Sequence, residues 1–127
     1  MSRTYRELLV WSKAKHLATL VYRETEGFPR SELFGLTSQI RRAAVSVPSN
    51  IAEGQGRLTK GEFRHFLGQA RGSILELETQ LAIAYDLGYL PQQGQQTLDS
   101  QTFQVLGLLN RLLDSLSTSE TLKPAKR

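Results

Sequence analysis

Residues 36–57 read LTSQIRRAAVSVPSNIAEGQGR and place Pro48 inside an apolar pattern of helical spacing. The pattern keeps its three- and four-residue steps on both sides of the proline, through Leu33, Leu36, Ile40, Ala43 or Ala44, Val47 and Ile51. A proline inside a helix removes one backbone donor and costs about 3 kcal/mol. Because the apolar positions nevertheless stay in phase, they predict either one long kinked helix or two nearly collinear helices.

Three further stretches of the chain have the same helical spacing of apolar residues. Helix one is predicted over roughly 8–26, and helix two runs from just after Pro29 to about Glu53. Helix three is predicted from about Lys60 to Leu87, and helix four over roughly 95–118. No segment alternates with the period of two that is typical of a strand.

Glycines and one capping motif indicate where these helices end. We expect Gly54 and Gly88 to adopt the left-handed conformation that commonly follows a helix. Residues 59–62, TKGE, match a capping box in which Thr59 and Glu62 satisfy two free amides at the start of helix three. Gly72 lies in the middle of helix three, where glycine costs up to about 1 kcal/mol relative to alanine. We therefore expect another helix to approach closely at Gly72.

The four helices and their short connections predict an all-α, antiparallel up-and-down four-helix bundle. At 127 residues and 39% apolar content, the chain is long enough for one domain with its own core. We assign residues 1–120 to that domain and residues 121–127 to a basic, disordered tail. Helix four carries a second apolar face formed by Phe103, Leu106 and Leu113, and this surplus predicts a contact between subunits.

Composition excludes several classes of protein. No apolar run approaches the roughly 20 residues that span a bilayer, and the N-terminal residues lack the features of a signal peptide. We therefore expect a soluble protein in the cytoplasm. The chain has no cysteine, which excludes disulfides, thiolate nucleophiles and zinc-thiolate sites.

The net charge of +4 is unevenly distributed along the chain. Residues 1–72 contain twelve Lys and Arg against six Asp and Glu, whereas residues 73–120 contain only Arg111 against six acids. Such asymmetry has two interpretations: a basic face that binds phosphates or an acidic partner, or a solvated surface whose halves neutralise one another.

Several motifs together resemble one known family. They are LTSQIRRAA (residues 36–44), SVPSNIAEG (46–54), Gly56-Arg57, Glu62-Phe63 and GSILELE (72–78). In this order they resemble the four-helix-bundle family named after the 23S ribosomal RNA intervening-sequence proteins, and the resemblance extends from about Val10 to Leu90.

The resemblance implies a cytosolic four-helix subunit that assembles into a cyclic homopentamer. Some members of this family are encoded inside insertions in large ribosomal RNA genes. A related accessory protein of diversity-generating retroelements binds nucleic acid and a reverse transcriptase through a basic pentameric barrel. The family name records gene location in some members, and fold does not fix function.

Basic residues cluster in helices two and three and in the turn between them. The candidate nucleic-acid contacts are Arg41, Arg42, Arg57, Lys60 and Arg64. Backbone binding by such cations is dominated by counterion release, and the start of helix three adds free amides and a positive dipole end. The alternative is that Arg41 or Arg42 pairs across a subunit interface with Glu53, Glu76 or Glu78.

A second group of candidates has a structural interpretation. Ser46, Asn50 and Glu53 are expected to satisfy backbone groups that Pro48 frees and to lock the register of the neighbouring helices, with Gly72 at a helix contact. The alternative is that Asn50 and Glu53 form a ligand-binding or catalytic pair. The Glu62-x-x-His65 spacing found in di-iron bundles occurs only once, and no serine–histidine–acid grouping can be assembled.

We therefore expect no catalytic residue, no metal and no cofactor. The leading hypothesis is a non-enzymatic homo-oligomer whose basic ring contacts RNA or DNA. The alternative is a protein-interaction scaffold whose arginines serve subunit interfaces.

Overall fold

The computed structural model describes Tyr5 and residues 8–116, which form four α-helices and a short 3₁₀ turn. The helices are α1 (Leu9–Glu24), α2 (Leu36–Gln55), α3 (Lys60–Asp86) and α4 (Gln92–Leu116), and the 3₁₀ turn is Arg30–Glu32. No strand occurs within this part of the chain. The predicted tail, 121–127, and the last two residues predicted for helix four lie outside the described residues.

Each helix packs against the next one in the chain, and α4 returns to pack against α1. The connections are short, so neighbouring helices run antiparallel, and the largest interface is the one between α2 and α3. This arrangement is an up-and-down four-helix bundle.

A single hydrophobic cluster receives side chains from all four helices. The predicted apolar stripe of α2 is confirmed, because Ile40, Ala43, Ala44, Val47 and Ile51 are all buried. α2 runs through Pro48 as one element, so the single-helix alternative is correct.

The predicted start of helix two was wrong. α2 begins at Leu36, because the preceding residues first form the 3₁₀ turn and a further turn through Gly35. The Glu32 carboxylate (Oε1) accepts a hydrogen bond from the Leu36 N–H at 3.0 Å and so satisfies one free amide at the start of α2. Leu33 precedes this start, is 48% exposed, and does not belong to the buried stripe.

Gly88 confirms the prediction for the end of α3. Its φ is +80°, its N–H donates to the Tyr85 carbonyl at 3.0 Å, and the Tyr89 N–H donates to the Ala84 carbonyl at 2.9 Å. These two bonds form a Schellman motif, which requires a left-handed residue after the helix.

The predictions for the other two glycines were wrong. Gly54 is a buried residue inside α2, where a Cβ would lie 2.8 Å from the Cβ of Phe66 on α3. Gly72 is exposed, and a Cβ there would have no neighbour within 4 Å among the described residues. The close approach of two helices therefore occurs at Gly54, because that is the position where the backbone of α2 meets the start of α3.

The second apolar face predicted for helix four is only partly exposed. Leu106 and Leu113 are half-buried and pack against the core, whereas Phe103 is 75% exposed. The apolar surplus on α4 is thus smaller than the sequence pattern indicated, and Phe103 is its main contributor.

Candidate nucleic-acid interface

The turn between α2 and α3 is short and brings three of the predicted basic residues together. α2 ends at Gln55 and α3 begins at Lys60, so Arg57, Lys60 and Arg64 surround the start of α3. One of the two hydrogen bonds of the predicted capping box is confirmed: the Thr59 Oγ1 accepts a hydrogen bond from the Glu62 N–H at 3.1 Å. The reciprocal bond from the Thr59 N–H to the Glu62 carboxylate is not formed among the described residues.

Lys60 and Arg64 are exposed, and neither has an acidic partner within 4 Å among the described residues. Lys60 is the first residue of α3, where unpaired N–H groups and the positive end of the helix dipole favour anions. The position therefore combines two free cations with a helix terminus that attracts negative charge.

Arg57 is held in place by two neighbours. Its guanidinium lies 2.8 Å from a Glu53 carboxylate oxygen and 4.7 Å from the centre of the Phe66 ring. The two side chains of the ion pair are 41% and 54% exposed, and such exposed pairs contribute only about 0–1 kcal/mol. The contacts orient Arg57 at the surface and compensate part of its charge.

Arg41 lies at the opposite end of the bundle. Its Nε donates a hydrogen bond to the Thr25 Oγ1 at 2.9 Å, an Nη donates to the Tyr22 carbonyl at 3.4 Å, and the guanidinium stacks 4.7 Å from the centre of the Tyr22 ring. A cation that donates to the last carbonyls of α1 also complements the negative end of that helix. Arg41 therefore joins the start of α2 to the end of α1.

Arg42 is exposed and faces a shallow groove between α2 and α3 that is also lined by Glu76. It lies 13 residues before the end of α2, which at about 1.5 Å per residue places it about 20 Å from the α2–α3 turn. The structure therefore brings Arg57, Lys60 and Arg64 together and separates Arg41 and Arg42 from them.

The polar residues near Pro48 make hydrogen bonds, but those described do not reach the Ala44 carbonyl, which is the group that Pro48 leaves without its helical donor. The Ser46 hydroxyl lies 2.6 Å from the Ser73 hydroxyl of α3 and 2.9 Å from the Ala43 carbonyl oxygen. The Asn50 side chain donates from Nδ2 to the Ser46 carbonyl at 2.8 Å. The Ser46–Ser73 bond joins α2 to α3 close to the proline, and the other two bonds lie within α2.

Several partners of these residues were missed by sequence reasoning. Thr25 and Tyr22 receive Arg41, Ser73 pairs with Ser46, and Phe66 supports Arg57. Phe66 follows the apolar spacing of α3 but is only half-buried. The other pairs join different helices, and the apolar periodicity carries no signal for them.

The remaining titratable residues in the described part of the chain form no recognisable centre. The described residues contain no group of three or more His, Asp and Glu that could hold a metal ion. His65 lies 3.1 Å from the Gln69 side-chain nitrogen, and His16 is exposed. No helix in the described part is both long and apolar enough to cross a membrane.

Fold and site define a small all-α protein, a four-helix bundle with a basic turn at one end. The model of the 23S rRNA-intervening sequence protein family matches residues 6–111, and the chain belongs to that family. A search of curated proteins found no match.

One solved structure with this fold is a Bacteroides thetaiotaomicron protein of unknown function from the S23 ribosomal protein family. The two chains are 19% identical, and the match covers 84% of this chain and 96% of the other, with a TM-score of 0.78. The likeness shows the shared fold.

Proposed function

We propose that this protein is a non-enzymatic, cytoplasmic homo-oligomer that contacts the backbone of RNA or DNA through the start of α3. The observation that carries the proposal is the pair of exposed cations, Lys60 and Arg64, that lack an acidic partner among the described residues at a helix N-terminus. Phosphate groups are among the anions that such a terminus binds. Arg57 extends the same surface from its position over Phe66.

The oligomeric part of the proposal is supported by exposed apolar side chains. Phe103 is 75% exposed and Leu9 is 60% exposed, and both line a cavity of about 330 Å³ between α4 and α1. A second subunit that covers this surface would remove it from water. The number of five subunits comes from the family resemblance. In a ring of five subunits, the cations at the start of each α3 would together produce a continuous region of positive potential.

The nucleic-acid part is tested by binding of structured RNA at increasing salt. The double variant K60Q/R64Q should bind more weakly than the unmodified protein, and the slope of log K against log salt should fall by at least about one. The matched control is K15Q/R23Q, which removes the same charge from exposed residues of α1. Absence of binding at low salt, or equal losses in both variants, would contradict the proposal.

The oligomer is tested by sedimentation of the variant F103Q. We expect it to dissociate at concentrations where the unmodified protein remains associated, because a polar side chain at this position weakens an apolar contact. F34Q is the control, since Phe34 is 94% exposed in the turn before α2 and does not line the cavity. A folded monomer in the unmodified protein would refute the oligomer.

A protein-interaction scaffold is the second candidate, and the apolar cavity between α1 and α4 favours it. Its lining includes Leu9, Phe103 and Leu108 together with the cations Lys13 and Arg111. A partner protein captured from cell extract after nuclease treatment, and lost in F103Q, would favour the scaffold over nucleic-acid binding.

A further inference from the structure

The apolar groove between α1 and α4 carries positive charge that no acid among the described residues pairs with. The groove begins at the cavity lined by Leu9 and Phe103 and continues along α4 to Leu112, which is about 14 Å at about 1.5 Å per residue. Lys13 and Arg111 line this groove, and its lining contains no acid. Lys13 is half-buried, and neither cation forms an ion pair among the described residues.

These cations indicate the chemistry of the surface that covers the groove. A charge that is removed from water without a partner is costly, so the covering surface should bring acidic as well as apolar side chains. Two copies of the groove do not meet this condition, because an isologous contact would bring Lys13 and Arg111 of both subunits together without an acid. The groove is therefore complementary to a different, acidic surface.

The outer face of α3 has the required apolar side chains. Leu75 and Ile83 are 39% and 45% exposed, and they lie on the same side of the helix as Thr79, Ala82 and Asp86, at steps of three and four residues. All five residues are exposed, so no other element of the described chain covers this face. From Leu75 to Asp86 the face extends about 16 Å, which is close to the length of the groove.

The charge of the outer face of α3 is opposite to that of the groove. Residues 72–91 contain Glu76, Glu78 and Asp86 but no Lys or Arg. Glu78 is half-buried and Asp86 is exposed, and neither forms an ion pair among the described residues. The unpaired acids of this face thus match the unpaired cations of the groove.

The groove and the outer face of α3 lie on different sides of one subunit. Among the described residues, α1 packs against α2 and α4 but not against α3, so α3 lies diagonally across the bundle from α1. The outer face of α3 therefore points away from the groove. A second copy of the chain brings these two complementary surfaces together.

We propose that the outer face of α3 of one subunit packs into the α1–α4 groove of the next, with Glu78 and Asp86 close to Lys13 and Arg111. This inference rests on the homo-oligomer proposed above and identifies the two surfaces that meet in it. The contact is heterologous, because each subunit contributes a different face, and it forms a ring when the rotation between subunits closes.

Charge exchange across the contact tests the proposal, with the size of the assembly measured by sedimentation over a range of concentrations. In E78K/D86K and in K13E/R111E, like charges would meet across the contact, so the concentration at which half of the protein is dissociated should rise at least about tenfold. The quadruple variant K13E/E78K/D86K/R111E should associate nearly as well as the unmodified protein, because opposite charges meet again.

The control E26K/E62K makes the same change of net charge as E78K/D86K, at exposed residues outside both surfaces, and should leave the assembly intact. Circular dichroism of each variant verifies that the helices remain folded. Unchanged association in E78K/D86K, equal dissociation of the control, or a folded quadruple variant that stays dissociated would overturn the proposal. The oligomer itself would still stand if F103Q dissociates, whereas a monomeric unmodified protein would refute both.

Discussion

The Tyr89 hydroxyl donates a hydrogen bond to the Glu32 carboxylate at 3.1 Å and so joins two connections that are 57 residues apart. The other oxygen of the same carboxylate accepts from the Leu36 N–H at 3.0 Å. The Tyr89 ring also lies 5.7 Å from the ring of Phe28. Glu32 thus fixes the start of α2 and holds the α3–α4 turn against the α1–α2 connection.

This hydrogen bond makes the free energy of unfolding decrease at alkaline pH. The hydrogen bond to Glu32, partial burial and the nearby negative charge raise the pKa of Tyr89 above its usual value of 10.0. A raised pKa in the folded state means that the neutral phenol is stabilised by folding. The contribution is therefore fully present below about pH 10, the value for an unfolded tyrosine, and is lost as pH rises through the folded pKa.

The variant Y89F tests this dependence. At pH 8, it should be less stable than the unmodified protein in urea unfolding, and the difference should shrink as pH is raised past 10. Y85F is the control, because Tyr85 is 41% exposed near the end of α3. A difference between Y89F and the unmodified protein that stays constant from pH 8 to pH 11 would argue against the role of this bond.

Gly54 and Gly72 provide a matched pair of glycines inside helices. We expect G54A to destabilise the protein by about 1–3 kcal/mol, because a Cβ at Gly54 would lie 2.8 Å from the Phe66 Cβ and 3.2 Å from the Phe63 carbonyl oxygen. Both are close to the backbone and cannot rotate away. G72A should instead stabilise by up to about 1 kcal/mol, since alanine is the better helix former and the site is open.

Urea unfolding monitored by circular dichroism measures both variants. A stabilised G54A would mean that α2 and α3 are farther apart than the structure shows. A destabilised G72A would mean that another surface covers that position, as a subunit contact would.

Arg41 and Arg42 are neighbours in sequence that differ in their contacts. R41Q should lower the free energy of unfolding by about 1–2 kcal/mol, because it removes charged hydrogen bonds to Thr25 and Tyr22 at the end of α1. R42Q should stay within about 0.5 kcal/mol of the unmodified protein, since Arg42 is exposed. The free energy of unfolding from urea titrations checks both, and equal effects of the two changes would contradict the role assigned to Arg41.

Some features of the fold could be predicted from the sequence alone, and others, such as the contacts of Arg41, could not. The apolar periodicity correctly predicted that Ile40, Val47 and Ile51 are buried, because burial follows from the 3.6-residue repeat. Gly88 was predicted because a left-handed residue after a helix is a local requirement. Arg41 was assigned to the basic surface, although its partner Thr25 lies across the α1–α2 connection.

The errors share one physical cause. Gly54 and Gly72 are both glycines within long helices, and only the crossing of α2 and α3 decides which of them is crowded. The start of α2 was predicted too early because a carboxylate four residues before Leu36 completes the helix terminus. The crowding at Gly54 and the start of α2 both depend on contacts between residues that local sequence patterns do not reveal.

The Ser46–Ser73 pair tests whether hydroxyls near Pro48 hold α2 and α3 together. The two oxygens lie 2.6 Å apart and are half-buried, so each single change to alanine should cost about 1 kcal/mol. The double variant S46A/S73A should lose less free energy of unfolding than the two single variants together, because the second change removes a partner that has already lost its bond. A double-mutant cycle in urea with a coupling of at least about 0.5 kcal/mol supports the bond, and strict additivity contradicts it. Ser49 lies on the exposed side of α2, so S49A combined with S73A is the control and should show no coupling.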